Sequence, residues 1–247
     1  MLSKIINKLD ELSENLGCEK KECASTLLAV AVKGDRFVLM HIGDGVIGYT
    51  KDNKIKIASY PDNGEFSNVT VFTTSSDAIF SMKLLKGELN GIDSFILMSD
   101  GTEAGLYHKK NKSLTSALVR VVDFVRFFPE LTVRGMLVDS LKNVIQQVTV
   151  DDCSIAIIAD DYGKDVRHLP ISEQRDLLAV GSKKYPAHKS KRMNRINYIL
   201  SMLEQPIAID EIARRLHIKK KYVRKYTDFL ESKGIIEQCG NKFIYLR

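Results

Sequence analysis

Asp44-Gly45, Asp100-Gly101 and Asp151-Asp152 are the residues of this 247-residue chain whose type and placement bear most directly on chemistry. Each lies at the end of a β-rich run: Asp44 after one ending at Ile42, Asp100 after one ending at Ser99, and Asp151-Asp152 just before one opening at Ser154. If the Ser154 strand runs antiparallel to the Ser94 strand, all these carboxylates reach the same sheet edge. Gathering like charges costs free energy unless a cation compensates, and hard divalent ions prefer carboxylate and water oxygens. A magnesium or manganese site is the chemistry this implies. Taken singly, each Asp-Gly is equally well an ordinary turn dipeptide.

The elements that must position these residues can be read from periodicity. Leu2, Ile5, Ile6, Leu9, Leu12 and Leu16 keep helical spacing, with Gly17 as a stop. Short β-rich runs follow at 25–32, 37–42, 46–49, 55–60, 69–73 and 94–99, then two helical stretches at 114–128 and 131–148, and a returning strand at 154–159. Hairpin-linked strands followed by helices and one more strand predict an antiparallel α+β layer fold rather than a doubly wound parallel sheet.

Composition narrows the class. Lys and Arg number 37 against 31 Asp and Glu, and 44% of residues are hydrophobic, enough for a packed core. The longest apolar run, Leu27 to Val32, falls far short of the roughly 18–20 residues that cross a bilayer, so no membrane association is expected. Charges interrupt the opening residues, leaving no signal-peptide core, and a cytoplasmic location is expected. Cys18, Cys23, Cys153 and Cys239 form no C-x-x-C pair and read as free thiols. The five histidines lack zinc-ligand spacing, so any metal here must be held by oxygen. The net charge of +6 is polarised: residues 183–247 carry 16 basic and 6 acidic residues, a net +10 against −4 for the rest.

Four motifs in order, Ala24-Ser-Thr-Leu-Leu-Ala-Val-Ala-Val, His41-Ile-Gly-Asp-Gly, Leu97-Met-Ser-Asp-Gly-Thr-Glu and Val150-Asp-Asp-Cys-Ser-Ile-Ala-Ile-Ile, resemble those of the metal-dependent type 2C (PPM) serine/threonine protein phosphatases. The segment Tyr60 to Thr70, which contains Asn68, is similar to a loop of a bacterial branch of that family. The resemblance implies a sandwich of antiparallel β-sheets flanked by α-helices, with Asp100 and Asp151 as metal ligands and Asp44 helping to hold a third ion. Gly45, Gly101, Asp152 and Asn68 would be supporting residues. It further implies two Mg2+ or Mn2+ ions, or three, that activate a water against phosphoserine or phosphothreonine in a phosphoprotein substrate, with no protein nucleophile. The family's first Asp-Gly, which bridges both catalytic ions, and an early phosphate-contacting arginine have no counterpart here, and Ala104 stands where many members carry another aspartate, with Glu103 one position away. The resemblance thus begins inside the family domain. Activity is expected to suffer, and an opening strand missing from its sheet predicts an exposed edge. A truncated phosphatase is the favoured account; the alternative is a catalytically inactive, phosphatase-like regulator.

Residues 1–160 are expected to form the phosphatase-like domain, 161–190 a linker with at most a short helix near Ser172 to Leu178, and 191–247 a small basic domain. Helical patterns at 195–203, 209–217 and 219–233, followed by a hairpin turning at Gly240-Asn241, resemble a winged helix-turn-helix. Its third helix would present Lys219, Lys220, Lys221, Arg224 and Lys225 to DNA phosphates, or to a protein partner, while Val223, Tyr226, Phe229 and Leu230 pack inward.

Overall fold

A computed structural model describes residues 2–62, 70–160, 165–180 and 186–246. Helix α1 (Leu2–Leu16) opens it and stops at Gly17, whose φ of +66° a residue with a side chain adopts only with strain. A 3-10 turn at Lys20–Cys23 leads into strands β1 (Leu27–Lys33), β2 (Arg36–Ile42), β3 (Val46–Lys51) and β4 (Lys54–Ser59). Next come the short helix α2 (Ala78–Ser81), strands β5 (Lys83–Glu88) and β6 (Ile92–Met98), helix α3 (Asp100–Leu106) and a small hairpin, β7 (Tyr107–His108) with β8 (Ser113–Leu114). Helices α4 (Ala117–Phe127) and α5 (Glu130–Asn143) precede a 3-10 turn at Ile145–Gln147 and the returning strand β9 (Ile155–Ala159).

The chain separates into two compact units, residues 1–119 with 140–160, and residues 120–139 with 161–247. In the first unit the sheets run in the orders β1-β2-β5 and β4-β3-β6-β9, with every neighbouring pair antiparallel, as the α+β reading expects. Alternation along the strands turns Val30, Phe37 and Leu39 of one sheet toward Ile47, Tyr49, Phe95 and Leu97 of the other. The Phe37 and Phe95 rings lie 4.9 Å apart, centroid to centroid. Val46, Ile96 and Met98, on the opposite face of the second sheet, are also buried, and Gly48 leaves the room there that Leu114 occupies. Burial on both faces explains why β6 reads as a continuous apolar run rather than an alternating one.

Two strand readings and one helix bound differ from the structure. Residues 70–73 form no strand; instead the Thr73 N–H and hydroxyl both donate to the Ser25 carbonyl, at 2.8 and 3.0 Å. Val69 lies outside the described residues. Strand β5, with the sequence Lys-Leu-Leu-Lys-Gly-Glu, gives no period-2 signal because it is an edge strand whose Leu84 and Leu85 remain exposed. The helix predicted at 131–148 gives way after Asn143 to the 3-10 turn.

The second unit contains α6 (Ile171–Leu177), α7 (Pro186–Met202), β10 (Ile207–Ala208), α8 (Ile209–Leu216), α9 (Lys220–Ser232), β11 (Ile236–Cys239) and β12 (Lys242–Tyr245). Its three strands form an antiparallel sheet ordered β10-β12-β11. Met193, Ile196, Ile199, Leu200, Leu203, Ile212, Val223 and Leu230 make its core, and Phe128 and Val133 join them. In the stretch 161–190, expected as a linker, Val166, Leu178 and Val180 are buried in this same core. Asp165 is held by Arg167 and by the Tyr245 hydroxyl, which donates to it at 3.2 Å.

His41 is fully buried at the end of β2; its Nε2–H donates to the Gly43 carbonyl at 2.9 Å and its Nδ1 accepts from the Ser59 hydroxyl at 2.7 Å. Burial, with Lys83 nearby, pushes its pKa down to about 4. The unfolded imidazole titrates near 6.5, so as the pH falls below neutrality the unfolded chain takes up a proton that the folded chain refuses. Stability therefore drops through pH 6.5 and levels near pH 4, with about 2 kcal/mol lost between pH 7 and pH 5 from this one group. Urea unfolding at the two pH values should show that fall in the native chain and a smaller one in His41→Gln; equal falls would contradict the assignment.

Candidate metal centre

The order β3-β6-β9 with antiparallel pairing settles where the acidic residues meet. Val46 pairs with Met98 and Met98 with Ile155, so the start of β3, the end of β6 and the start of β9 share one edge of the sheet. Asp44 sits in the turn entering β3, Asp100 opens α3 after β6, and Asp151 and Asp152 lie just before β9.

Two glycines allow these segments to touch. A Cβ on Gly45 would lie 2.6 Å from the Met98 carbonyl oxygen, and one on Gly101 would lie 2.4 Å from the Asp152 carbonyl oxygen and 3.1 Å from the Asp151 Cβ. Gly43 has φ +106°, and a Cβ there would strike the Thr26 side chain at 2.3 Å. Hydroxyls then tie α3 to the segment before β9. Ser99 donates to the Asp152 carbonyl at 3.2 Å and accepts from the Ser154 N–H at 3.0 Å, while Thr102 donates to the Ser154 carbonyl at 2.9 Å.

The electrostatics follow from this crowding. Burial pushes the Asp100 carboxyl above its ordinary range, the Gly101 N–H donating to it at 2.8 Å opposes that, and the charges of Asp44 and Asp151 push it up further. Asp44 accepts from the Thr70 hydroxyl at 2.6 Å, and Asp151 accepts from the Asp152 N–H at 3.1 Å. A fourth acid joins them from α3. Glu103 is buried; Lys109 meets its Oε1 at 3.1 Å, and its Oε2 has no hydrogen-bond partner. Burial pushes its pKa up, Lys109 opposes this, and Asp100 and Asp44 add to the rise.

Asp44 and Asp151 thus come within electrostatic reach of Asp100, with Gly45, Gly101 and Asp152 forming the contacts between their segments. Asn68 lies outside the described residues. Glu103 is the member that sequence reasoning set aside as one position off; its place in the Ser-Asp-Gly-Thr-Glu run was the available signal. Among the described residues no three His, Cys, Asp or Glu side chains converge as a ready-made metal shell. The donor chemistry nonetheless fits a hard divalent cation: several carboxylates on one edge and a buried carboxylate oxygen without a partner. In the second unit Lys219 stands at the N-terminus of α9, and Lys220, Lys221, Arg224 and Lys225 are exposed along it. Lys220 pairs with Asp210 at 2.7 Å, and Lys221 lies over the Tyr222 ring.

Two facing antiparallel sheets with acidic turns gathered at one edge, accompanied by helices, make the first unit an α+β sandwich. The chain belongs to the protein phosphatase 2C family, whose model matches residues 1–145. Among solved structures it is similar to a bacterial serine phosphatase, at 16% identity over 64% of this chain and 66% of that one, with a TM-score of 0.45. It is also similar to the serine/threonine phosphatase Stp1 from Staphylococcus aureus, at 17% identity, 64% and 65% coverage and a TM-score of 0.44. A third is the catalytic domain of the phosphatase PstP in complex with two manganese ions, at 18% identity, 56% and 58% coverage and a TM-score of 0.39. The chain therefore spans somewhat less than two thirds of these proteins' own lengths. No curated protein matches it in sequence.

The Gly101 contact predicts a specific cost. Gly101→Ala should drive the start of α3 and the Asp151-Asp152 segment apart and lower stability by about 1–3 kcal/mol. An unchanged urea midpoint would show that the two segments do not press together.

Proposed function

We propose that this chain is a metal-dependent protein serine/threonine phosphatase of the cytoplasm, acting on phosphoserine and phosphothreonine in phosphoprotein substrates. The observation that carries the reading is the gathering of Asp44, Asp100 and Asp151 at one sheet edge, made possible by close backbone approach at Gly45 and Gly101. In this reading Asp100 and Asp151 hold a Mg2+ or Mn2+ pair and Asp44 helps to hold a third ion, with Gly45, Gly101, Asp152 and Asn68 in support. Such ions supply Lewis acidity, neutralising phosphoryl oxygens and making a water nucleophilic near neutral pH. The protein's part is to hold acidic oxygens close together in a partly dry edge, so that cation binding relieves the repulsion now felt by the Asp100 and Glu103 carboxyls. Lys109 neutralises one face of Glu103 and keeps that acid oriented.

Two measurements test this. Manganese titration of the full chain by calorimetry should give saturable binding, and hydrolysis of a phosphothreonine peptide should depend on manganese. Asp100→Asn should reduce both, by at least about 100-fold for hydrolysis, since losing a direct ligand costs more than losing the residue behind it. Manganese binding that is absent in the native chain, or binding and turnover that stay intact in Asp100→Asn, would overturn the reading.

The absence of a converged three-residue shell among the described residues favours a second reading. Here the first unit is a catalytically inactive, phosphatase-like regulator, and α7, α8, α9 and the β11-β12 hairpin act as a winged helix that engages DNA, or a protein partner, through Lys219, Lys220, Lys221, Arg224 and Lys225. Duplex DNA binding by the full chain should then weaken steeply with salt, with a slope of log affinity against log salt near about −4 for four to five phosphate contacts. Salt-insensitive or undetectable binding would exclude the nucleic-acid role and assign this face to a protein.

A further inference from the structure

The two cysteines that follow α1 show no motif in sequence, yet they meet in the structure. Cys18 Sγ and Cys23 Sγ are 3.9 Å apart, both half-buried and both free thiols. We propose that Cys18 and Cys23 are a redox-sensitive dithiol that closes to an intramolecular disulfide when a peroxide is present.

The turn that holds them is built from contacts independent of the sulfurs. Gly17 reverses the chain, the Cys18 N–H donates back to the Ser13 carbonyl at 3.1 Å, and Lys20 pairs with Asp10 of α1 at 2.8 Å. The 3-10 turn is completed by the Glu22 N–H donating to Glu19 and the Ala24 N–H donating to Lys21. A disulfide bond is about 2.05 Å long, so the sulfurs must approach by about 2 Å, a distance within the swing of one side chain about χ1. Burial, then the neighbouring Cys23, pushes the Cys18 thiol above its ordinary range, which keeps that thiol protonated at rest.

The chemistry balances with hydrogen peroxide as oxidant. One cysteine, as its thiolate, attacks a peroxide oxygen; the O–O bond breaks, hydroxide leaves and takes up the thiol's proton, and a sulfenic acid remains. The second sulfur attacks the sulfenic sulfur, the S–S bond forms and water leaves. Two thiols and one peroxide become one disulfide and two waters, with the sulfurs oxidised and the peroxide reduced.

The position gives the bridge a mechanical consequence. Two residues beyond Cys23 the Ser25 carbonyl anchors Thr73, and the next residue, Thr26, fills the space beside Gly43 in the turn that carries Asp44. Oxidation therefore clamps the end of α1 to the segment bracing that turn. In reducing compartments, disulfides are characteristically transient and redox-sensing.

The test uses the full chain treated with stoichiometric hydrogen peroxide, alkylated and digested with trypsin, which cuts after Lys20 and Lys21 between the two cysteines. The expected result is a linked pair, residues 9–20 with residues 22–33, about 2 Da below the sum of the separate peptides. Free thiols should fall from four to two and be restored by dithiothreitol. Cys18→Ser should abolish the link, and the double variant Cys153→Ser/Cys239→Ser should keep it. An unchanged thiol count, a link through Cys153 or Cys239, or equal thiol loss in Cys18→Ser would overturn the proposal.

Discussion

The arrangement of the first unit depends on backbone touching backbone at one edge of the β4-β3-β6-β9 sheet. Gly101 presses against Asp152, and Gly45 presses against the Met98 carbonyl, at distances that leave no space for a side chain. Only because these segments lie so close does Asp100 feel the charges of Asp44 and Asp151. Like charges held together in a partly buried edge destabilise the fold, and the Ser99, Thr102 and Ser154 hydrogen bonds offset part of that cost by fixing the segments in place. The strain is local, and the rigid strands behind it keep it from relaxing.

Those strands are rigid because both faces of the sheet are covered. Phe95, Leu97 and Ile47 face the other sheet, while Val46, Ile96 and Met98 are buried on the opposite side. His41 carries the same logic into a polar setting: it is buried, kept neutral, and satisfied on both ring nitrogens by Ser59 and Gly43, one residue before Asp44. The turn bearing an acid of the cluster is thus held from within by a histidine and from outside by Thr26 and by the Thr70 hydroxyl on Asp44. The second unit has its own core and needs none of these contacts for its packing; its polar pin, Asp165 with Arg167 and Tyr245, ties residues 165–180 to the last strand.

Much of this was legible in the sequence where periodicity is strong. The opening helix and its Gly17 stop, strands β1 to β4, β6 and β9, and helices α8 and α9 with their hairpin lie close to where apolar spacing and turn residues put them, whereas α7 begins at Pro186, inside the expected linker and nine residues before its expected start. Strand β5 was illegible because an exposed edge strand has no buried face to write an alternating pattern, and its pairing with β2 is decided by backbone hydrogen bonds. Residues 165–180 look like a linker by composition, yet Val166, Leu178 and Val180 are buried, since a few apolar residues among polar ones suffice when a core lies within reach. Glu103 could be named but not valued, because burial of its carboxylate is a property of where α3 packs.

By itself the sequence determined the residue types that can act: acids beside glycines at strand ends, cysteines without a metal motif, and a basic segment distinct from an acidic one. These are consequences of side-chain chemistry and short-range turn preferences, which need no partner distant in the chain. Tertiary structure alone decided which of them meet. Pairing of β6 with both β3 and β9 brought together acids more than fifty residues apart in sequence. Proximity arises from strand pairing and core packing, and both are set by contacts between residues far apart in the chain, where local pattern carries no information.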